Sequence, residues 1–476
     1  MTNRAHINQI NLVYTYYFCE KITKIEFIFA HIKDFPYICQ KRKRNIMIQE
    51  FGVKNFYSIK NEQKISFVPT PDGTQAENYL HEVAPGVNLL KIGIIYGSNA
   101  SGKSNVLMAL DFFHDLMLSV PQDKMSRIEG YAPFLLDDTS RNETCQMRLV
   151  FWLDRERYIH EIEFDDKRIY KESLIFYGSQ RPTTLYDRTY NKDTDHSVIV
   201  FGSKSGITKK SRDVIEGNTI NNCTVMAAFG KSNVEESRLN KVYEFYARGI
   251  ADLLSPNQIL SSYVRDQVRR DKDGKLKTFL LKVLQASDFN IVDFDLKEEE
   301  VPITPNMELV IKNTPMPETA REEMLKKGTL TNEELSFLHT TDGEKRYDLP
   351  EVMESRGTMR FLGMGVILYK LLSRERFITV DEVETSIHYE LLSYFLKAFL
   401  VNSDNGSQML LTTHDINLLD EDFIRRDVVW FTDKNEKGET EIKRLTQYGL
   451  HKTLSPYNAY KQGKLGKLPF IGSIFL

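Results

Sequence analysis

The sequence is poor in cysteine. Its 476 residues hold four, Cys19, Cys39, Cys145 and Cys223, and no two of them are spaced as a CxxC pair. A cysteine zinc site and a disulfide framework both need paired thiols at fixed spacing, so neither is indicated, and a reducing compartment fits best. Long hydrophobic runs are also missing. None approaches the roughly 18 residues needed to span a bilayer. The N-terminus lacks the succession of charge, apolar core and small-residue cleavage site that marks a secretory signal. There is no excess of one charge either. The formal net charge of −3 excludes a globally basic polyanion binder, though not a local basic face. Neither internal repeats nor low-complexity segments occur. What is present is ordinary globular composition, 41% apolar and 27% charged, in a chain long enough for about three domain-sized units.

The first 46 residues differ from the rest. They are aromatic, without a clear period, and end in the basic run "KRKR" (Lys41–Arg44). Strand-like alternation begins only at Met47, with "MIQEFGVKNFYSIKNEQKISF". Residues 1–46 therefore read as an extension, non-native or disordered, with Met47 as the expected start; a genuine N-terminal arm is the alternative. Residues 47–68 predict two strands around a turn. "KIGIIY" (Lys91–Tyr96) predicts a buried parallel strand. The segment after Ser104 has helical spacing, with Val106, Leu110, Phe113 and Met117 on one face. From Thr144 to Tyr177 the pattern alternates and predicts an antiparallel meander. Helices are expected over 234–254 and 273–289, and residues 295–345, with four prolines, read as charged and irregular. "GTMRFLGMGVILYKLLSR" returns to helix, "RFITVDE" to a short buried strand, "SIHYELLSYFLKAFLV" to an amphipathic helix, and "SQMLLTTHD" and "RDVVWFTDK" to strands. The expected fold class is α/β, with one nucleotide-binding domain split by a large insertion. Its parts would be 47–174, an inserted mixed or helical region over 175–345, and 346–476.

The segment that carries chemistry follows "KIGIIY". Gly97-Ser98-Asn99-Ala100-Ser101-Gly102-Lys103-Ser104 satisfies G-x-x-x-x-G-K-[ST], between a predicted strand and a predicted helix. Glycines let backbone N–H groups turn inward around phosphate oxygens, and the helix N-terminus adds partial positive charge. Residues 97–105, Asn105 included, are thus the candidate nucleotide-binding loop. Lys103 would reach the β- and γ-phosphates of ATP, and the Ser104 hydroxyl would ligate Mg²⁺. A P-loop needs a second strand carrying carboxylates. "FITVDEVE" supplies Asp381, expected to hold Mg²⁺, and Glu382, expected to polarise the attacking water as general base. His414, at the end of "LLTTHD", is a candidate hydrogen-bond partner for the γ-phosphate; a structural histidine is the alternative.

Taken together, the P-loop, the segment "ESRGTMR" (Glu354–Arg360) and "ITVDEVETSIH" followed by "LLTTHD" resemble the ABC-type ATPases of the SMC, DNA-repair and OLD (overcoming lysogenization defect) clade. Within it the chain is similar to the RloA-type and abortive-infection ATPases of bacteria, often classed under AAA-like headings. "MIQEFGVKNFYSIKNEQKISF" resembles their opening, and "FIRRDVVWFTDKNEKGETEIKRL" and "YKQGKLGKLPFIGSIF" their ending. The likeness covers about 47–476 and is weakest in 175–345. It implies a P-loop NTPase of ABC-ATPase type, a mixed sheet with helices and an inserted α+β region.

The resemblance also implies roles. Ser355, Gly357 and Thr358 match the signature segment, whose serine and glycine contact the γ-phosphate bound by the opposite subunit; Arg356 departs from the small, acidic or polar residue usual there. Asp381 and Glu382 match the Walker B aspartate and catalytic glutamate, and His414 the switch histidine. Glu384 and His388 fall in the D-loop region, and Asn55 and Ser58 where relatives approach base or ribose. A cytoplasmic ATPase follows, with ATP and Mg²⁺ as cofactors and a homodimer, or a higher assembly, closed around sandwiched ATP. Its partner would be an effector from the same operon, a nuclease or toxin, in anti-phage defence. The alternative is a DNA-processing ATPase acting directly on nucleic acid, with the basic stretches 204–213 and 263–277 as contact candidates. No separate acidic nuclease site is expected: about sixty residues follow His414, and Asp420–Phe423 lies too near the switch strand. The short α/β insertion replaces the long coiled coil of SMC proteins, since no sustained heptads occur.

Overall fold

The structure, a computed structural model, describes residues 46–466 apart from 288, 315, 342–344 and 452. Of the expected extension 1–46, residues 1–45 with the basic run lie outside the described residues, as does the closing segment from 467, while Ile46 opens the first strand. The chain divides into two compact units. The described part of the larger comprises 46–258, 370–385 and 392–466; that of the smaller, 259–369 and 386–391.

In the larger unit, β1 (Ile46–Lys54) and β2 (Gln63–Ser66) pair antiparallel, the two strands expected within 47–68. β3 (Leu80–Ala84) and β4 (Val87–Leu90) form a small hairpin, and β5 (Ile92–Tyr96) follows, every residue buried. The meander is present and continues further than its alternation suggested. β6 (Cys145–Leu153), β7 (Glu156–Phe164), β8 (Ile169–Tyr177), β9 (Thr183–Asn191) and β10 (His196–Phe201) join β1 and β2 in a seven-stranded antiparallel sheet, ordered β10-β9-β8-β7-β6-β1-β2. Alternate residues of β7 and β8 are buried, as one packed face and one wetter face require.

The second sheet is built around β5. β14 (Phe377–Val380), β15 (Gln408–Thr412), β5 and β16 (Val429–Lys434) run parallel, and β17 (Thr440–Arg444) closes antiparallel, in the order β14-β15-β5-β16-β17. Strands 14 and 15 are completely buried, which explains why they read as continuous apolar runs. The helix Lys103–Leu118 packs against this sheet, while its Phe113 meets Phe51 of β1 and His160 of β7 edge-on at 6.1 and 5.9 Å. Buried Gln408 stitches the two sheets together. Its Oε1 accepts from Ile48 N, and its Nε2 donates to Ile48 O and Leu90 O.

The expected helix over 234–254 is shorter. Ser237–Glu244 is α-helical, Phe245–Gly249 widens into one π turn, and the chain then extends. Ile250 and Leu254 bridge in parallel to Phe377 and Val380, so this segment flanks β14. Buried Arg188 and Glu172 sit within the meander. Glu172 accepts from Tyr186 OH and Val225 N, and Arg188 donates to Cys223 O, Ile220 O and Asn221 O. Every strong bond there ends on the protein, so this charged cluster is structural.

The smaller unit corrects one reading. Residues 295–345, expected to be irregular, contain a long antiparallel pair, β11 (Ile291–Pro302) with β12 (Thr329–Thr340), joined through helices Pro305–Asn313 and Glu318–Lys327. β13 (Arg346–Pro350) adds to β12. The charges misled because β11 is exposed from Lys297 to Glu300, where no apolar alternation can develop. Phe294, Leu335 and Phe337 are buried, as are Leu276, Phe279, Leu280 and Leu284 of the helix Lys275–Ala286. Most of the helix Arg356–Ser373 also belongs here, with Phe361 stacked on Phe289.

A candidate nucleotide site in the larger unit

The loop Gly97–Gly102 leaves the carboxyl end of β5, in the middle of the parallel sheet, and enters the helix Lys103–Leu118. This is where open α/β sheets place their ligands. Both glycines are required. A Cβ on Gly97 would lie 2.5 Å from Thr432 Oγ1, and Gly102 has φ +102° with Thr440 Oγ1 only 2.1 Å from where a Cβ would stand. Ala100 also takes positive φ, 61°. Neighbouring strands hold the loop from behind. Ser101 Oγ and Thr432 Oγ1 are 2.7 Å apart, and Thr440 Oγ1 donates to Ser101 O at 3.0 Å.

Lys103 is buried. Its Nζ donates to Gly97 O at 3.0 Å and Ser98 O at 3.2 Å, folded back over its own loop. Burial pulls its pKa below the usual lysine value, and Asp381, Glu382 and Glu384 pull it back up. A cation held by carbonyls it can exchange for phosphate oxygens, over a loop that admits no Cβ at either glycine, fits a nucleoside triphosphate. Ser104 and Asn105 open the helix, and Asn105 Nδ2 donates to Ser58 Oγ at 2.6 Å.

Asp381 and Glu382 stand at the carboxyl end of β14. One residue of the next strand orients both. Thr412 Oγ1 donates to Asp381 Oδ1 at 2.5 Å and accepts from Glu382 N at 2.8 Å. Glu382 has φ 45°, so its backbone leaves the strand direction at the point where its carboxylate turns outward. His414 Nε2 lies 3.7 Å from Glu382 Oε1, beyond hydrogen-bond reach, and both side chains are about one third exposed or more. The His414 backbone N–H donates to Glu384 Oε1 at 2.6 Å. Lys103, Asp381, Glu382 and His414 are thus brought to one end of one sheet. The residues fit a divalent cation at the phosphates: Asp381 offers a buried carboxylate and Ser104 a hydroxyl at the helix start.

Several participants were not singled out by sequence. Thr412 stands inside "LLTTHD", and a polar residue in a buried strand beside the Walker B acids was the available signal. Thr432 and Thr440 carried none, because their contacts come from β16 and β17. An open polar cavity of about 500 Å³ lies beside Thr440, lined also by Asn61, Gln63 and Lys443. Asn55 is engaged within the protein. It is buried, donates to Ser140 O and Glu143 O, and accepts from Phe134 N, so its amide shapes the 134–144 loop. Ser58 does approach the candidate loop, its Oγ accepting from Asn105 Nδ2 at 2.6 Å.

Ser355, Gly357 and Thr358 belong to the smaller unit. Ser355 Oγ accepts from Thr358 N at 2.9 Å, the bond of an N-cap, and Ser355 therefore starts the helix from Arg356. Thr358 is buried behind it, and a Cβ at Gly357 would come 2.8 Å from Ser386 O. His388 lies in the same unit, where its Nδ1 accepts from Glu390 N. The basic stretch 263–277 is largely self-neutralised: Arg265 pairs with Glu351, Arg269 with Glu333, Arg270 with Asp266 and Lys277 with Asp293.

Residues 93–420 match the family model described as "AAA domain, putative AbiEii toxin, Type IV TA system". That is more than half of the chain. The chain belongs to this family. Its larger unit carries the P-loop NTPase fold of the AAA/ABC-type ATPases, with the parallel sheet, loop and acidic strand described above. Solved structures with lower likeness include the SMC head domain from Thermotoga maritima (12% identity, 84% of this chain and 98% of that one, TM-score 0.36). The SmcHead bound to the C-winged helix domain of ScpA gives 12%, 87%, 99% and 0.37. A head with an extended coiled coil bound to the C-terminal domain of ScpA derived from Pyrococcus furiosus gives 11%, 88%, 98% and 0.35. At such values the fold assignment stands on the family match and the geometry. No curated protein matches the sequence. Among the described residues, no helix is long and apolar enough to cross a membrane.

Proposed function

We propose that this chain binds and hydrolyses ATP, and that ATP-driven pairing of two copies controls a partner effector in bacterial anti-phage defence. The observation that carries the catalytic part is the single hydroxyl of Thr412, which orients Asp381 and the Glu382 backbone beside a loop holding a buried lysine. Residues 97–105 bind the phosphates through backbone N–H groups, and Lys103 exchanges its carbonyl partners for phosphate oxygens. Ser104 and Asp381 hold Mg²⁺, which supplies charge neutralisation when bound. Glu382 takes a proton from the attacking water, and His414 hydrogen-bonds the γ-phosphate region from beside Glu382.

A signature segment capped by Ser355 serves a γ-phosphate presented by a second subunit. Contacts of Ser355, Gly357 and Thr358 made only while the γ-phosphate is present would favour the closed dimer, and hydrolysis would remove them. The family description supports an effector context, since it names a toxin and a toxin–antitoxin system. The cytoplasm is the proposed compartment.

The test measures ATP turnover together with mass in solution for the natural chain and Glu382→Gln, with and without ATP. Loss of the base should lower turnover by roughly 10²- to 10⁴-fold while ATP binding survives and an ATP-held dimer or larger assembly accumulates. Unchanged turnover would remove Glu382 from the base role. Turnover that falls with no change of mass would sink the switch but leave the ATPase.

A further inference from the structure

A second cluster of chemical groups lies on the helix that begins at Lys103, but at its far end. His114 is eleven residues after Lys103, about 16 Å along the axis at 1.5 Å per residue, so it is remote from the phosphate loop. One ligand atom each from His114, Asp115 and Asp252 lie within 4.8 Å of one another. Among the described residues, no other set of three such groups lies so close. Asp115 and Asp252 are exposed, whereas His114 is only 4% exposed.

The histidine decides what the cluster can do. Its Nε2 lies 2.9 Å from Tyr246 O. A carbonyl oxygen can only accept, so Nε2 carries a proton, and Nδ1 is the ring atom left for a further partner. That Nδ1 is buried, makes no hydrogen bond, and faces Asp115 Oδ1 at 3.4 Å. A buried ring nitrogen facing a carboxylate oxygen at that distance is a place a cation, a proton or a metal ion, can bridge. A ring whose second nitrogen donates to a backbone carbonyl is also the usual way a protein fixes a metal-binding imidazole. Asp111 positions the third ligand. Its Oδ1 accepts from Leu253 N at 2.9 Å and holds the segment carrying Asp252 against the helix.

We propose that His114, Asp115 and Asp252 bind one divalent first-row transition-metal ion, of which Zn²⁺ is the representative, at a site separate from the nucleotide. One imidazole nitrogen with two carboxylate oxygens is a borderline N/O donor set, better matched to such ions than to Mg²⁺ or Ca²⁺, which take oxygen alone. The exposed side of the cluster leaves further positions to water. The bound ion ties the helix Lys103–Leu118 to the segment 250–254. Two residues beyond Asp252, Leu254 O accepts from the Asp381 backbone N–H at 2.9 Å. The metal would therefore fasten the helix that follows the phosphate loop to the neighbour of the acidic strand.

The experiment titrates Zn²⁺ into the full chain carrying Asp381→Asn, which removes the nucleotide site's metal ligand from the count, and follows heat and melting temperature. One equivalent should bind, and the melting temperature should rise by a few degrees at a hundredfold excess over Kd. Adding Asp115→Asn or Asp252→Asn, both at exposed positions, should weaken that binding at least tenfold while the metal-free circular dichroism stays unchanged. His114→Ala should abolish it. Zinc binding that Asp115→Asn and Asp252→Asn leave unchanged would overturn the site, as would no binding to a folded protein. Millimolar Mg²⁺ that displaces the zinc would overturn the proposed class of ion.

Discussion

Two buried lysines flank β5, and they are held alike. Lys91, just before the strand, donates from Nζ to Leu400 O and Ser403 O at 3.0 and 2.7 Å. Lys103, just after the loop, donates to Gly97 O and Ser98 O at 3.0 and 3.2 Å. Burial lowers the pKa of both. The difference lies in what surrounds them. Lys91 satisfies carbonyls at the end of the helix Tyr389–Asn402, and a single carboxylate, Asp404, acts on it. Lys103 is acted on by three carboxylates at the end of β14 and sits over a loop with positive φ at Ala100 and Gly102. A charge held by carbonyls is therefore not itself a sign of function. What marks Lys103 is that its partners belong to a loop shaped for something else.

The same contrast separates two histidine–glutamate pairs. His160 and Glu172 are completely buried, and Tyr246 OH and Tyr186 OH complete the bonding of the ring. His414 and Glu382 are partly exposed and stop 3.7 Å apart. Bonds not made within the protein are the ones available to a ligand.

Substitution at the two lysines would break or sharpen this comparison. Lys103→Met should lower ATP turnover by roughly 10²- to 10³-fold, as loss of one charge-stabilising donor does, with the urea midpoint nearly unchanged. A large stability loss there would make Lys103 a second Lys91. For Lys91 the effect should appear in stability and follow pH. Burial pushes its pKa down to about 8, so between pH 8 and about 10.4 the unfolded chain binds a proton that the folded chain does not. Stability from this group is thus lowest below pH 8 and rises with pH across that window, by about 3 kcal/mol in all. Urea unfolding of the natural chain and Lys91→Met at pH 7.5, 9 and 10 should show the natural chain gaining on the mutant. Parallel profiles would mean Lys91 is not depressed. The smallest effect concerns Thr412. Thr412→Val keeps the shape but removes the hydroxyl orienting Asp381, and turnover should fall tenfold to a hundredfold, the usual cost of losing a group that orients a metal ligand. If Thr412→Val turns over normally, the orientation of Asp381 does not depend on this bond.

The phosphate loop, the acidic strand and the histidine after it were legible in the sequence, because each is a contiguous motif whose chemistry demands particular residues at fixed spacing. β5, β14 and β15 were legible because strands buried on both faces must be apolar throughout. The meander was legible from its alternation, though its reach to Phe201 was not. The β11–β12 pair was hidden by the charges of its exposed end. Local pattern thus marked the candidate phosphate loop and the strands whose burial leaves a clear apolar pattern. Only the tertiary structure decided the rest: that Thr412, Thr432 and Thr440 brace the site, that Asn55 serves a loop, and that His114 meets Asp252 from 138 positions away. Those relations depend on which strands and loops become neighbours, and strand order, unlike strand identity, is written in no single stretch of chain.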